Sequence, residues 1–211
     1  MTSRRMRAEQ VEQTRTTILS TAERLFAERG VVSVSNRQIS ETAGLGNNTA
    51  VSYHFGGKQE LVRAVVDRHA SAMEAIRKDL LGRYQGSTEL RDWVTCVVRP
   101  FTDHLTALGN PSWYARFAAQ LMTDPQLREL AGAQLEQAPM LHTVIDSLHR
   151  CLPELPPPVR LRRDDMARTL IVHFCAQLER TAAPDWPAAR TDLIDAVEGL
   201  YRAPHTPAPS E

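Results

Sequence analysis

The chain of 211 residues lacks several features that metalloproteins, secreted proteins and membrane proteins require. It has three cysteines, Cys96, Cys151 and Cys175, and no Cys-x-x-Cys pair, which disfavours structural disulfides and a zinc site. No stretch approaches the ~20 consecutive apolar residues of a membrane-spanning helix, and no apolar signal-peptide core follows the basic N-terminus. We therefore expect a cytoplasmic protein that has no metal or cofactor and does not bind membranes.

Common enzyme motifs are missing as well. The sequence contains no nucleophile elbow and no phosphate-binding loop, and its scattered histidines form no pair of metal ligands at positions i and i+4. We therefore expect no enzymatic activity. A thiol-dependent enzyme, in which one of the cysteines acts with a histidine, is the alternative that these residues leave open.

Lysine is rare, with 2 residues against 23 arginines, and the formal net charge is zero. The charge is unevenly divided, because residues 1–70 contain 10 basic and 7 acidic side chains whereas residues 71–211 contain 15 and 18. The N-terminal third is therefore the part suited to a polyanion such as DNA. Its first residues, which include Arg4, Arg5 and Arg7, predict a flexible basic arm over residues 1–13 that could follow phosphates or enter a minor groove. A solubilising tail is the alternative.

Residues 35–58 show the pattern of a helix-turn-helix. Ser35 and Gln38 form the S-x-x-Q pattern of a capping box, which predicts the start of a helix. Gly44 can adopt the positive φ angle that ends this helix, and a second short helix is predicted over about residues 48–54. A helix-turn-helix places its second helix in the major groove of DNA, while the first helix crosses the phosphate backbone.

The polar side chains of this segment suit contacts with DNA. Asparagine, threonine and arginine can bind base edges, whereas tyrosine, histidine and lysine can donate to phosphates. Other roles are open for two of them, because Asn47 could serve only as a helix cap and His54 only as a hydrogen-bonding residue between helices. Phe55 is expected in the core. The predicted DNA-binding residues are Ser35, Arg37, Asn47, Asn48, Thr49, Tyr53, His54 and Lys58.

The stretch Thr14–Asp67 resembles the N-terminal domain of TetR-type transcriptional repressors. The sequence Leu-Phe-Ala-Glu-Arg-Gly at Leu25–Gly30 matches the end of the first helix in that family. The Tyr-His-Phe triplet at residues 53–55 and Lys58 match the aromatic-His-Phe ending of the recognition helix and the lysine that follows it. Several motifs in a fixed order are far more specific than a lone helix-turn-helix pattern.

Two departures from the family pattern affect the recognition segment. It is one residue longer than the commonest version, and Ser52 stands where many members have a tyrosine that contacts DNA. Tyr53 is therefore the aromatic residue that we expect at the DNA. The resemblance further implies that Arg37 contacts DNA and that Lys58 binds a phosphate.

Apolar residues at three- and four-residue steps predict an all-α fold with about nine helices. One long helix is predicted from Lys58 to about Tyr84. It begins in a helix-turn-helix domain, residues 14–65, and enters a larger helical effector-binding and dimerisation domain, residues 66–203. Residues 204–211 are expected to form a disordered tail.

The larger domain should contain five further helices, and no alternating strand pattern competes with them. Pro100 and Pro139 lie inside two of these helices and should kink or break them. Four prolines predict a loop over residues 152–158. The five helices are predicted over residues 88–108, 112–122, 126–151, 163–181 and 188–202.

The last two helices have apolar stripes that would be assigned to the core on sequence alone. The family resemblance implies a different role, because TetR-like proteins pair two such helices from each subunit in a four-helix bundle. A two-fold homodimer is also what a palindromic operator in double-stranded DNA requires. The predicted interface residues are Met166, Leu170, Phe174, Leu178, Leu193, Val197 and Leu200.

The middle helices are rich in aromatic and sulfur-containing side chains, which are typical of small-molecule pockets and also of plain cores. The resemblance implies that this region binds a small-molecule effector that weakens DNA binding. The protein is then a repressor released by its ligand, and a constitutive DNA-binding or architectural protein without an effector is the alternative. The predicted ligand-binding residues are Trp93, Phe101, His104, Trp113, Phe117, Gln120 and Met140.

Overall fold

The computed structural model describes residues 2–47, 49–135, 138–152 and 154–206, and these segments contain helices and no strand. The all-α prediction is confirmed, with ten helices in the described segments where the sequence predicted about nine. The helices are α1 (Thr2–Arg29), α2 (Asn36–Thr42), α3 (Ala50–Phe55), α4 (Lys58–Tyr84), α5 (Leu90–Leu108), α6 (Tyr114–Thr123), α7 (Pro125–Leu135), α8 (Pro139–Arg150), α9 (Pro157–Leu178) and α10 (Trp186–Arg202).

Helix α1 occupies the segment for which a flexible arm was expected, since it is continuous from Thr2 to Arg29. The first half of α1 is rich in Arg, Glu, Gln, Met and Ala, which all favour helices. Arg5 Nε also lies 2.9 Å from Glu9 Oε1 one turn later. Residues 5–13 are exposed, so local helix propensity rather than core packing accounts for this extension.

The core of the N-terminal region is built around four apolar side chains of α1, all of them almost fully buried. They are Ile18, Ala22, Leu25 and Phe26. Helices α2, α4 and α6 pack against α1, and α3 packs against α2 and α4. Each large apolar side chain buried in this way contributes about 1.5–3 kcal/mol to the free energy of folding.

Helix α5 is at the centre of the larger region, where it packs against α4, α8 and α10, while α6 packs against α9 and α1. The buried side chains of both regions form one continuous cluster. The predicted bounds of the long helix are confirmed, because α4 extends from Lys58 to Tyr84. Its first turns belong to the N-terminal core and its later turns to the larger region.

The prolines have three different effects on these helices. Pro139 opens α8 and so separates it from α7, which confirms the predicted break. Pro100 is buried inside α5, and that helix continues through it from Leu90 to Leu108. Pro157 opens α9, so this helix begins inside the segment predicted as a loop. Proline suits the first turn of a helix because the N–H that it lacks would have no helical partner there.

In the described part of the chain, none of the helices is both long enough and apolar enough to cross a bilayer. Residues 204–206 are not helical, and residues 207–211 of the predicted tail lie outside the described residues. Met1 of the predicted arm also lies outside them.

Candidate DNA-binding face and ligand cavity

The first helix of the helix-turn-helix begins with the predicted capping box. Ser35 Oγ accepts the Gln38 N–H at 3.2 Å, and Gln38 Oε1 accepts the Ser35 N–H at 2.8 Å. The helix buries Ile39 and Ser40, whereas Thr42 is exposed. Two reciprocal hydrogen bonds thus fix where α2 begins.

The turn and the start of α3 also follow local chemistry. Gly44 has a φ of 69°, a left-handed conformation that favours glycine. Asn47 Oδ1 accepts hydrogen bonds from the Thr49 N–H at 2.9 Å and from Thr49 Oγ1 at 2.7 Å, so Asn47 forms an Asx-turn that precedes α3, whose N-cap residue is Thr49 and not Asn47. Helix α3 begins at Ala50, and Asn48 lies outside the described residues.

The exposed side of α3 presents the predicted aromatic residue to solvent. Tyr53 is 82% exposed, and its ring contacts the edge of the His54 ring at a centroid distance of 5.0 Å. Arg37 on α2 is also exposed and pairs with Glu41 one turn later, with 2.7 Å between Arg37 Nε and Glu41 Oε1. An exposed ion pair of this kind is weak because water screens it, so Arg37 can exchange Glu41 for a phosphate or a base.

Lys58, predicted to bind a phosphate, has protein partners in this structure. Its Nζ donates to the carbonyl oxygens of Val31 and Val32 at 3.1 and 3.2 Å, at the end of α1. An ammonium group has three donors, so two bonds to carbonyls leave one donor for another acceptor. Lys58 therefore ties the start of α4 to the segment that follows α1.

One supporting residue was missed by the sequence analysis. Arg15 of α1 donates from Nη1 to the His54 carbonyl, and its guanidinium lies 4.4 Å from the centroid of the Phe55 ring. Phe55 is half-buried and packs against the core as expected. Arg15 thereby caps the end of α3 with a positive charge, which the helix dipole favours. No signal in the sequence indicates this role of Arg15, because the role depends on the position of α1 opposite α3 in the tertiary structure.

A cavity of about 370 Å³ lies in the larger region, between α4 and helices α5 to α10. Its walls are mainly apolar and include Met73, Phe101, Leu121, Ile171 and Val172. The volume lies at the lower end of the range for small-molecule sites, and the apolar walls with a few polar groups are typical of them.

Of the seven predicted ligand residues, Phe101 lines this cavity. Trp93 and Met140 line a second, open groove of about 610 Å³ between the end of α4 and α8. Trp113 is half-buried and packs against the core. The remaining three, His104, Phe117 and Gln120, make contacts with the protein that are described below.

Phe117 and Gln120 join α6 to α1. Phe117 is fully buried and its ring stacks on Phe26 with 6.0 Å between the centroids. Gln120 Nε2 donates to the Phe26 carbonyl at 2.7 Å, and Gln120 Oε1 accepts the Val31 N–H at 3.2 Å. Gln120 Oε1 therefore supplies an acceptor for the Val31 N–H just after α1, and Gln120 Nε2 is a second donor to the Phe26 carbonyl, which also accepts the Gly30 N–H at 2.9 Å.

A buried polar chain crosses from α1 to α5. Glu23 Oε2 lies 2.9 Å from His69 Nε2, and His69 Nδ1 lies 2.7 Å from His104 Nε2. Two neutral imidazoles satisfy this chain when each donates its Nε2 proton toward Glu23. Tyr114 of α6 stacks on the His69 ring at 3.8 Å and also lines the cavity. Burial, and next to it the neighbouring His69, lowers the pKa of His104 to about 4.

Arg77 of α4 lines the same cavity and was not singled out from the sequence. It is 8% exposed and donates from Nη1 to Glu74 Oε1, and burial lowers the pKa of its guanidinium. The signal that indicates it is its spacing, because Arg77 follows Val66, Ala70 and Met73 at three- and four-residue steps on an otherwise apolar stripe.

The predicted dimer residues divide between the surface and the core. Met166, Leu170 and Phe174 of α9 are 54%, 37% and 40% exposed and lie four residues apart, so they form one apolar stripe on the surface. Leu193 and Val197 of α10 are instead buried in the core of this chain, because α10 packs on α5. Leu178 and Leu200 are half-buried and pack against that core.

Burial also bears on the thiols. It raises the pKa of Cys96 to about 11 and that of Cys175 to about 12, which disfavours the reactive thiolate form of both. Among the described residues, no group of three or more Cys, His, Asp or Glu side chains is arranged to hold a metal ion.

The fold and the exposed face of α3 define a helix-turn-helix DNA-binding protein. Residues 18–65 match the family model described as bacterial regulatory proteins, tetR family, and residues 95–202 match the model described as tetracyclin repressor-like, C-terminal domain. The chain therefore belongs to the TetR family of bacterial transcriptional regulators, which are DNA-binding proteins and not enzymes.

Relatives of this chain share either its N-terminal sequence or its whole fold. The HTH-type transcriptional regulator TtgR of Pseudomonas putida is 41% identical over 59 residues, a match that covers 28% of each chain. The TetR family transcriptional regulator PfmR from Thermus thermophilus has a TM-score of 0.53 at 16% identity and covers 90% of this chain and 96% of its own. AmtR of Mycobacterium smegmatis has a TM-score of 0.59 at 20% identity, with 86% and 84% covered. At these identities the two solved structures establish the fold alone.

Proposed function

We propose that this regulator is a repressor that binds a palindromic operator as a homodimer and is released when a small molecule fills the cavity between α4 and α6. One observation carries the proposal. Helices α4 and α6 both line the cavity, and both contact the N-terminal region. A ligand that moves either helix must therefore act on the elements that hold the DNA-binding face.

Two sets of contacts support this coupling. Val66 and Met73 of α4 line the cavity, whereas Leu61 and Val62, which lie about one turn before Val66, are buried in the N-terminal core. On α6 the side chains of Ala118 and Leu121 line the cavity, and Gln120 between them holds the end of α1. Packed helices shift as rigid bodies, so a displacement at the cavity is transmitted to these contacts.

The mechanism is a shift between two states of the dimer. Without ligand the recognition helices have the spacing that fits the operator, and with ligand another spacing is favoured. Energetically, the ligand must bind the second state more tightly than the first, and the ratio of the two affinities sets how far the operator affinity falls.

The apolar stripe of α9 supports the homodimer. Met166, Leu170 and Phe174 are large side chains exposed on one face, and a second copy of the same stripe would cover them by two-fold symmetry. A charged residue that replaces an apolar one within such an interface is buried without a partner, which destabilises the dimer.

The repressor and dimer parts are tested together on a selected operator. Operator sequences are selected from random duplex DNA with the purified protein, and two-fold symmetric sites are expected. Leu170→Glu should then be monomeric in analytical ultracentrifugation and bind that operator poorly. The control is Leu161→Glu, a change at another exposed leucine of α9 that lies off the stripe. A dimeric Leu170→Glu variant, or selected sites without symmetry, would contradict the proposal.

The coupling is tested by Gln120→Leu. A screen by thermal shift identifies compounds that stabilise the protein, and each one is then assayed for release of the selected operator. The variant should bind such a compound with unchanged affinity and release the operator less completely. If no stabilising compound releases the operator from the unmodified protein, the effector role is wrong.

A further inference from the structure

The cavity contains a buried charge whose hydrogen-bonding capacity is not filled. The Arg77 side chain is 9% exposed, and among the described residues its Nε has no hydrogen-bond partner. Guanidinium groups remain charged in proteins and present five N–H donors. A buried donor without a partner is rare in folded proteins, so this one calls for an acceptor that the described residues do not supply.

Glu74 cannot supply that acceptor by itself. Its Oε1 accepts from Arg77 Nη1, and its Oε2 accepts the Met140 N–H at 3.0 Å at the start of α8. Both oxygens of Glu74 are therefore engaged. The hydrogen bonds among the described residues leave Nε and Nη2 of the guanidinium without a partner.

The other charged groups of the cavity wall already have partners. Asp164 accepts from the Tyr201 hydroxyl at 2.6 Å and lies 2.8 Å from His149 Nε2. Asp165 pairs with Arg168 at 2.7 Å. Arg128 donates to the Met122 carbonyl at 2.6 Å and is exposed. Arg77 is therefore the buried charged group of the wall that has an unfilled donor, and both aspartates of the wall are already paired.

We propose that the cavity binds an amphipathic monocarboxylate, whose carboxylate accepts hydrogen bonds from the guanidinium of Arg77 and whose apolar body lies along Met73, Phe101, Leu121 and Ile171. A hydrogen bond between a guanidinium and a carboxylate is charge-assisted and is therefore stronger than one to a neutral acceptor. A single negative charge fits better than two, because Glu74 already neutralises part of the guanidinium charge. The inference rests on the proposed effector role of this cavity.

The ligand class is tested first with the unmodified protein and three probes of equal chain length. Decanoate, 1-decanol and decylamine, each below its micellar concentration, are titrated in a calorimeter. Decanoate should bind roughly tenfold or more tightly than 1-decanol, as a charge-assisted hydrogen bond in a buried site predicts, and decylamine should bind least. Equal binding of decanoate and 1-decanol, or no binding of decanoate, would overturn the proposal.

Arg77→Met then tests the assigned residue, with Arg168→Met as the matched control at a cavity arginine that is already paired. Arg77→Met should bind decanoate and 1-decanol equally, whereas Arg168→Met should keep the preference for decanoate. Because Arg77→Met leaves Glu74 without its partner, the double variant Glu74→Gln/Arg77→Met supplies a neutral version that should show the same loss. A preference for decanoate that survives in both Arg77 variants would refute the assignment.

Release of the selected operator separates this inference from the proposed function. If 1-decanol releases the operator as well as decanoate does, the effector role stands and the carboxylate preference is wrong. If decanoate binds through Arg77 but the operator stays bound, the ligand class stands and the effector role fails.

Discussion

The two ends of helix α4 are packed in opposite ways. Near its start, Leu61, Val62 and Val65 are fully buried in a closed apolar core. More than two turns after Val65, Met73 and Arg77 line a cavity, and a charged group is buried without a full set of partners among the described residues. A closed core gives the DNA-binding face one stable geometry, whereas an unfilled wall leaves room for a ligand to alter the packing. One rigid helix therefore joins a fixed part to an adaptable one.

The largest expected effect is on stability, and it compares a side chain in the closed core with one in the cavity wall. Phe117→Ala removes a fully buried ring stacked on Phe26 and should lower the free energy of unfolding by about 3–5 kcal/mol. Phe101→Ala removes a ring that is 8% exposed and borders the existing cavity, and it should cost clearly less because one side of that ring faces unfilled space. Urea unfolding measures both losses, and equal losses would show that the cavity wall is packed as tightly as the contact between α6 and α1.

A second test uses pH and the buried chain at the boundary of the two parts. Burial lowers the pKa of His104 from about 6.5 to about 4, so the unfolded chain binds this proton at a higher pH than the folded protein does. The contribution of His104 to the free energy of unfolding is therefore complete above about pH 6.5. It is lost as the pH falls toward 4, by an amount on the order of 3 kcal/mol. His69 and Tyr114 contact His104, and Glu23 and Arg68 lie on the other side of His69.

This prediction is checked by the slope of stability against pH. Thermal or urea unfolding between pH 7 and 4 should show a smaller loss for His104→Gln than for the unmodified protein. The same slope in both would show that another group is responsible for the acid sensitivity.

A smaller effect is expected at the exposed DNA-binding face of the N-terminal region. Tyr53→Ala should weaken operator binding by about 1.5–3 kcal/mol, the range for a hydrogen bond to a charged group, without changing stability or ligand binding. Tyr53→Phe keeps the ring and removes the hydroxyl, so it distinguishes a phosphate contact from stacking. Fluorescence anisotropy with the selected operator measures both, and unchanged affinity for Tyr53→Ala would remove Tyr53 from the DNA-binding face.

The smallest effect distinguishes two roles of Lys58 at the start of α4. If the ammonium contacts a phosphate, Lys58→Met should reduce the slope of log affinity against log salt by about 0.9. If it serves only to hold the Val31 and Val32 carbonyls, the variant should lose about 1 kcal/mol of stability and keep the salt slope. Binding measured from low to high salt, together with urea unfolding, decides between them.

Sequence reasoning was most successful where the determining contacts are local. The Ser35 and Gln38 capping box, the positive φ of Gly44 and the bounds of α4 all depend on residues a few positions apart. It was less successful at the start of α1, where a run of basic residues suggested an arm although the composition favours a helix. The middle domain was hardest, because an aromatic residue in a helix looks the same in sequence whether it lines a cavity or fills a core.

The sequence by itself determined the helix-turn-helix, the all-α class and the family resemblance, because capping, turn chemistry and helical periodicity are encoded within short stretches. Only the tertiary structure decided that Phe101 lines a cavity, that Gln120 and Lys58 bind the end of α1 and the segment after it, and that Arg77 is buried with unpaired donors. These contacts join residues that lie tens of positions apart, or depend on which neighbours surround a side chain in space. Such relations follow from how the helices pack against one another, and no local pattern records them.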